Sequence, residues 1–120
     1  MKKRFIEGEV LKGYEVLQYA MDIHYPIWDI LGREESDIPK RINEDSDYIL
    51  KRFNINLIEE PLFRVDDESI KEYMELDIDT MPPIVLEFVD NSYYIVDGCH
   101  RYSAMKKLCK ESILAYIPII

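Results

Sequence analysis

The 120-residue sequence predicts a single α+β domain with a small mixed sheet, and three observations carry that expectation. Two β-branched and aromatic runs, "IVLEFV" and "YYIVD", are joined by Asp90-Asn91-Ser92 and read as a hairpin. The second run stops at Asp97-Gly98, after which Tyr102, Met105, Leu108 and Cys109 fall at helical spacing. A further β-type run, "ILAYIPI", follows, with Pro118 suited to a strand end or a sheet edge. One domain is also what the length allows, since it supports a real core but not a second one.

The elements ahead of the hairpin are read in chain order. Val10, Tyr14, Leu17 and Met21 lie four, three and four apart, which predicts a helix over residues 8–23. Pro26 breaks it, and His24 beside Tyr25 and Trp28 reads as a packed histidine rather than a ligand. Residues 33–45 are polar, contain a proline, and predict a surface loop. Ser46 or Asp47 can cap a short helix through Phe53 with Tyr48, Ile49 and Phe53 inward. Residues 1–60 thus read as a helical N-terminal extension, and 61–120 as the core. In that core "PLFRV" predicts a strand, Asp66 or Asp67 caps a helix across "ESIKEYMEL", and the two prolines of "DIDTMPP" demand a loop.

Composition narrows the function. Hydrophobic residues make up 48% and charged residues 32%, the balance of a soluble globular protein. No apolar run approaches the roughly 20 residues of a membrane helix. The start "MKKRFIEGEVLKG" has no signal-peptide apolar stretch, so a cytoplasmic location is expected. The two cysteines, Cys99 and Cys109, lie on one predicted helix about 15 Å apart at 1.5 Å per residue, too far to bridge, and a structural zinc site lacks ligands. Cys109 is expected on the apolar side of that helix, in the core.

A net charge of −9 argues against general nucleic-acid binding and, with no helix-turn-helix region, against sequence-specific DNA. The charge is uneven. Residues 98–120 hold Arg101, Lys106, Lys107 and Lys110 against Glu111, a sum of +3, leaving −12 for residues 1–97.

That one basic segment begins where the chain passes from strand to glycine to helix. A helix start presents backbone N–H groups without intrahelical acceptors and the positive end of the helix dipole, so it suits an anion. Gly98 allows close approach or a positive φ. Arg101 can grip phosphate oxygens in a bidentate fork, and His100 can donate a hydrogen bond or move a proton. Cys99 at this position is expected to have a lowered thiol pKa and to act as a nucleophile, unless it is simply a small helix-start residue. Asp97 can serve as a base or metal ligand, or as a plain cap. Glu87 and Asp90 are candidates to complete a magnesium site, with a solvated strand face as the alternative.

The segment "MPPIVLEFVDNSYYIVDGCHRYSAMKKLCKESILAYI" resembles the ParB/sulfiredoxin superfamily, whose members share a strand, hairpin and Gly-turn-helix arrangement with a phosphate-binding motif at the turn. The Gly98-Cys99-His100-Arg101 string is similar to the sulfiredoxin motif, in which the cysteine is the catalytic thiol and the histidine and arginine hold nucleotide phosphates. The resemblance implies a ParB/sulfiredoxin-like fold, ATP with magnesium, and Ser69 as a nucleotide contact on the upstream helix. It further implies phosphoryl transfer to a small or protein acceptor, or reduction of a cysteine sulfinate through Cys99. A nucleotide-sensing module without chemistry, with residues 1–60 as a protein-binding surface, is the third expectation. Asp97 stands where sulfiredoxin typically has a glycine.

Overall fold

The computed structural model describes residues 5–21, 41–60 and 82–119. The strand expected at "PLFRV", the helix over "ESIKEYMEL", Ser69, and the environment of His24 lie outside these residues.

Among the described residues five strands form one mixed sheet: β1 (Val10–Lys12), β2 (Asp47–Asn54), β3 (Ile84–Val89), β4 (Ser92–Asp97) and β5 (Ser112–Pro118), in the order β1-β2-β5-β3-β4. β3 and β5 are parallel, and the other neighbours are antiparallel. Helix α1 covers residues 13–21, and helix α2 is Cys99–Lys107. None of the described helices is long and apolar enough to cross a membrane.

Alternation along the strands gives the sheet two apolar faces. Ile113, Ala115 and Ile117 of β5, with Ile84 and Leu86 of β3, pack against Tyr102 and Met105 of α2. Their neighbours Tyr116 of β5, Val85 of β3, and Tyr48 and Leu50 of β2 pack against Val16 and Ala20 of α1. Strands covered on both faces need apolar residues at successive positions, which "IVL" and "LAYI" supply. The sheet therefore sits between α1 and α2.

The hairpin and the final strand form as the sequence predicts. Asp90 and Asn91 make the two-residue turn with φ of 51° and 62°, the double positive φ that a type I′ hairpin needs and that Asp and Asn tolerate. Pro118 closes β5 opposite Tyr48.

The N-terminal half corrects the reading. The short helix expected through Phe53 is instead the eight-residue strand β2, paired with β5 from Tyr48 to Asn54. Tyr48 and Leu50 face α1, while Ile49 and Phe53 pack toward α2, so the inward residues follow a period of two that a helical reading misassigns. Residues 10–12 form β1, which leaves Val10 52% exposed and Tyr14 60% exposed; the buried face of α1 is Val16 and Ala20 instead. Gly13 permits this packing, because a Cβ there would lie 1.8 Å from the Asn43 carbonyl oxygen. Where the sequence suggested a helical extension, the described residues among the first 60 include two strands of the sheet and a helix packed on it. Cys109 is exposed rather than buried: α2 ends at Lys107, and Cys109 sits past it with φ 57°.

Candidate functional site

Sheet geometry places the strand-turn-helix segment. A bulge in the β3–β4 pair, where Val85 faces Asp97 and Leu86 faces Ile95, gives β4 one extra residue just before the turn. Such a bulge re-aims the side chains beyond it. Asp97 consequently stands opposite Val85, whose side chain belongs to the α1 face.

Gly98 then caps α2 in the left-handed conformation, φ 109° and ψ 29°. A Cβ at this position would be 2.4 Å from Ile84 Cγ2 and 3.1 Å from Arg101 Nη2, so both conformation and space require glycine. No side chain caps it and its first turn holds no acidic residue, so nothing anionic on the helix itself offsets the positive end of the helix dipole. The Gly98 carbonyl accepts the first helical bond, from Tyr102 N at 2.9 Å. Cys99 and His100 at this start are each partly exposed.

Arg101, expected as a phosphate ligand, is turned inward. Its side chain is 2% exposed and its Nη2 lies 2.9 Å from Asp97 Oδ1, with Asp97 itself fully buried. Nη1 donates to the carbonyls of Pro83 at 2.7 Å and Pro82 at 3.1 Å, and to the Tyr19 hydroxyl at 3.3 Å. The two prolines lie just before β3, where their carbonyls accept from a side chain instead of a sheet partner. Asp97 is therefore the counter-ion of a buried guanidinium, a position that suits neither a solvent-facing base nor a metal ligand.

The Cys99 thiol departs from expectation. Burial pushes its pKa up, the Asp97 carboxylate adds to the rise, and Arg41 and Arg101 oppose it without reversing it. The helix dipole and the neighbouring cations are outweighed because the sulfur packs against the apolar cluster beneath α2. The rise favours the protonated thiol at Cys99.

The two weak metal candidates do not converge on the turn. Glu87 pairs with Arg41, Oε1 lying 2.7 Å from Nη2 and 2.9 Å from Nε, and Arg41 also donates to the Ile95 carbonyl at 2.9 Å. Asp90 is at the hairpin tip, separated from Gly98 by the six residues of β4, about 20 Å at 3.3 Å per residue. Among the described residues no group of three or more His, Cys, Asp or Glu is placed to hold a metal ion.

Sequence reasoning missed Tyr19 and Arg41. Each comes from the half that offered structure but no chemistry, and each reaches the site across more than 50 positions of chain. No local pattern marks either; only the packing of α1 on the sheet and the placement of Arg41 beside Glu87 bring them in.

Comparison with known proteins fits this geometry. The family model described as ParB N-terminal domain matches residues 41–120. Among solved structures the chain is similar to sulfiredoxin from Arabidopsis thaliana, with 32% sequence identity and a TM-score of 0.51 over 57% of this chain and 83% of that one. No curated protein matches the chain. The matched segment includes β2 through β5, α2 and the whole Gly98-Cys99-His100-Arg101 string, and on this evidence the chain belongs to the ParB N-terminal domain family, within the ParB/sulfiredoxin superfamily.

Proposed function

We propose that the chain is a nucleotide-binding protein whose α2 start receives the phosphates of ATP, with phosphoryl transfer to a small or protein acceptor as its chemistry. The observation that carries this reading is the glycine-capped start of α2: a left-handed Gly98 contributes no side chain and no acidic residue stands in the first turn, so the positive end of the helix dipole meets a ligand's phosphates without a capping carboxylate. Partly exposed His100 adds a donor at the rim. Arg101 serves the site from below, as the buried partner of Asp97 that fixes the turn. Magnesium would arrive on the nucleotide's own phosphates. A cytoplasmic setting, where ATP and magnesium are abundant, agrees with this assignment.

A second reading, ATP-dependent reduction of a protein sulfinate through Cys99, is favoured by the 32% identity to a sulfiredoxin. It requires the Cys99 thiol to lose its proton and attack the activated sulfinyl sulfur, displacing phosphate. The raised Cys99 pKa works against that step at neutral pH.

Thermal unfolding with and without ATP and magnesium separates the possibilities. A ligand present at a hundredfold excess over its Kd stabilises the folded state by about 2.7 kcal/mol, which gives a clear rise in Tm. No rise with any nucleotide contradicts the reading. Cys99→Ser retains the rise in either case; turnover lost in that variant selects the sulfinate reaction, and turnover retained excludes a thiol mechanism. Binding with no turnover on any acceptor leaves a nucleotide sensor.

A further inference from the structure

The turn that presents the α2 amides is braced from outside the family-matched segment. Asp97 and Arg101 flank Gly98 and pair with each other, so one ion pair spans the turn. The other end of the guanidinium is held by Pro82, Pro83 and Tyr19. The Tyr19 hydroxyl also donates to the Pro83 carbonyl, so this one group accepts from Arg101 and donates to Pro83, which uses an O–H as both acceptor and donor. Its ring is fixed edge-on against Tyr116, centroids 5.2 Å apart at 66°, and against Phe5 at 6.0 Å and 76°. Burial raises the Tyr19 pKa, which keeps the phenol protonated and able to donate.

We propose that Tyr19, which precedes the matched residues 41–120, is a positioning residue for the phosphate site, holding Arg101 inward and so setting the Gly98 turn. Its effect on ligand affinity rests on the nucleotide reading above; its effect on Arg101 does not. The inward hold has a definite sign: the site uses Arg101 in the interior, so loosening it weakens ligand binding.

The test compares Tyr19→Phe, which keeps the ring and removes the hydroxyl, with Val16→Ala, which loosens the same helix without touching Arg101. Two readouts are taken: the guanidinium N–H resonances of Arg101 in the ligand-free protein, and the calorimetric Kd for ATP with magnesium. Tyr19→Phe is expected to shift the Arg101 Nη1 signals and speed their exchange with solvent, and to weaken ATP roughly two- to tenfold, the factor one hydrogen bond supplies. Val16→Ala is expected to lower Tm while leaving the Arg101 signals in place. Unmoved Arg101 signals in Tyr19→Phe, equal movement in Val16→Ala, or ATP bound as tightly as or more tightly than by the parent each overturn the proposal. If the parent chain does not bind ATP, the nucleotide reading fails separately, and the resonances alone decide whether Tyr19 positions Arg101.

Discussion

Replacing Arg101 by methionine probes the brace beneath the helix start. The Asp97 and Arg101 side chains are 0% and 2% exposed, with 2.9 Å between Oδ1 and Nη2, so removing the guanidinium strands a carboxylate in the interior. Losing one partner of a buried ion pair costs about 3–5 kcal/mol, chiefly the penalty of the charge left behind. Against the roughly 5–15 kcal/mol that holds a domain of this size together, that is a large fraction. Asp97→Asn leaves the opposite charge uncompensated and is expected to cost a comparable amount. The double variant Asp97→Asn/Arg101→Met contains neither charge and is expected to be clearly more stable than the sum of the single losses implies. Urea denaturation of the four proteins measures each stability and the coupling between the positions, provided the slope m is unchanged. A loss below about 1 kcal/mol for Arg101→Met, or single losses that add to within about 0.5 kcal/mol, would refute a buried, mutually dependent pair.

Gly98→Ala should destabilise by about 1–3 kcal/mol, because alanine disfavours φ 109° and its Cβ meets Ile84 Cγ2 at 2.4 Å. Adding Ile84→Ala removes the Cγ2 contact but leaves the Cβ of residue 84 at 2.9 Å and the conformational strain, so no restoration of the turn is expected; full recovery of ATP binding in the double variant would contradict the left-handed cap. Thiol alkylation followed against pH should show Cys109, which is exposed, reacting ahead of Cys99 at pH 7, with Cys99 reacting appreciably only above the usual thiol range. A Cys99 titration below that range would contradict the structure. The same rise has a stability consequence: the folded state holds the Cys99 proton more tightly than the unfolded chain. The stabilisation this gives is present below the unfolded-state pKa and is lost as pH climbs through the folded-state value.

What could be read from the sequence is what local pattern encodes. The β3–β4 hairpin announces itself through two β-branched runs and a Asp-Asn turn, and the glycine turn with its helix follows from Gly98 and the returning helical spacing. The α2 start was legible as a glycine-led helix start for the same reason, since a helix start after a glycine is a local feature. β2 was not legible as a strand. "DYILKRFN" has apolar residues on both faces, a consequence of lying between β1 and β5 with helices above and below, so the apolar pair Ile49-Leu50 masks the period of two that its burial follows. The direction of the Arg101 side chain was hidden too. Its partners at Pro82, Pro83 and Tyr19 lie 18 to 82 residues away, and the bulge that turns Asp97 toward the α1 face leaves no mark in composition. The Cys99 pKa failed for a related reason: its neighbours in sequence are cationic, but burial against the apolar cluster outweighs them.

The central claim is that the amides at the start of α2 bind nucleotide phosphates. A titration of the amide-labelled protein with ATP and magnesium, followed by NMR, tests it most directly. Saturable shifts that are largest at the Cys99, His100 and Arg101 amides, and that vanish in Gly98→Ala, are the predicted result. An unmoved α2 start, or saturable shifts confined to another surface, would contradict it.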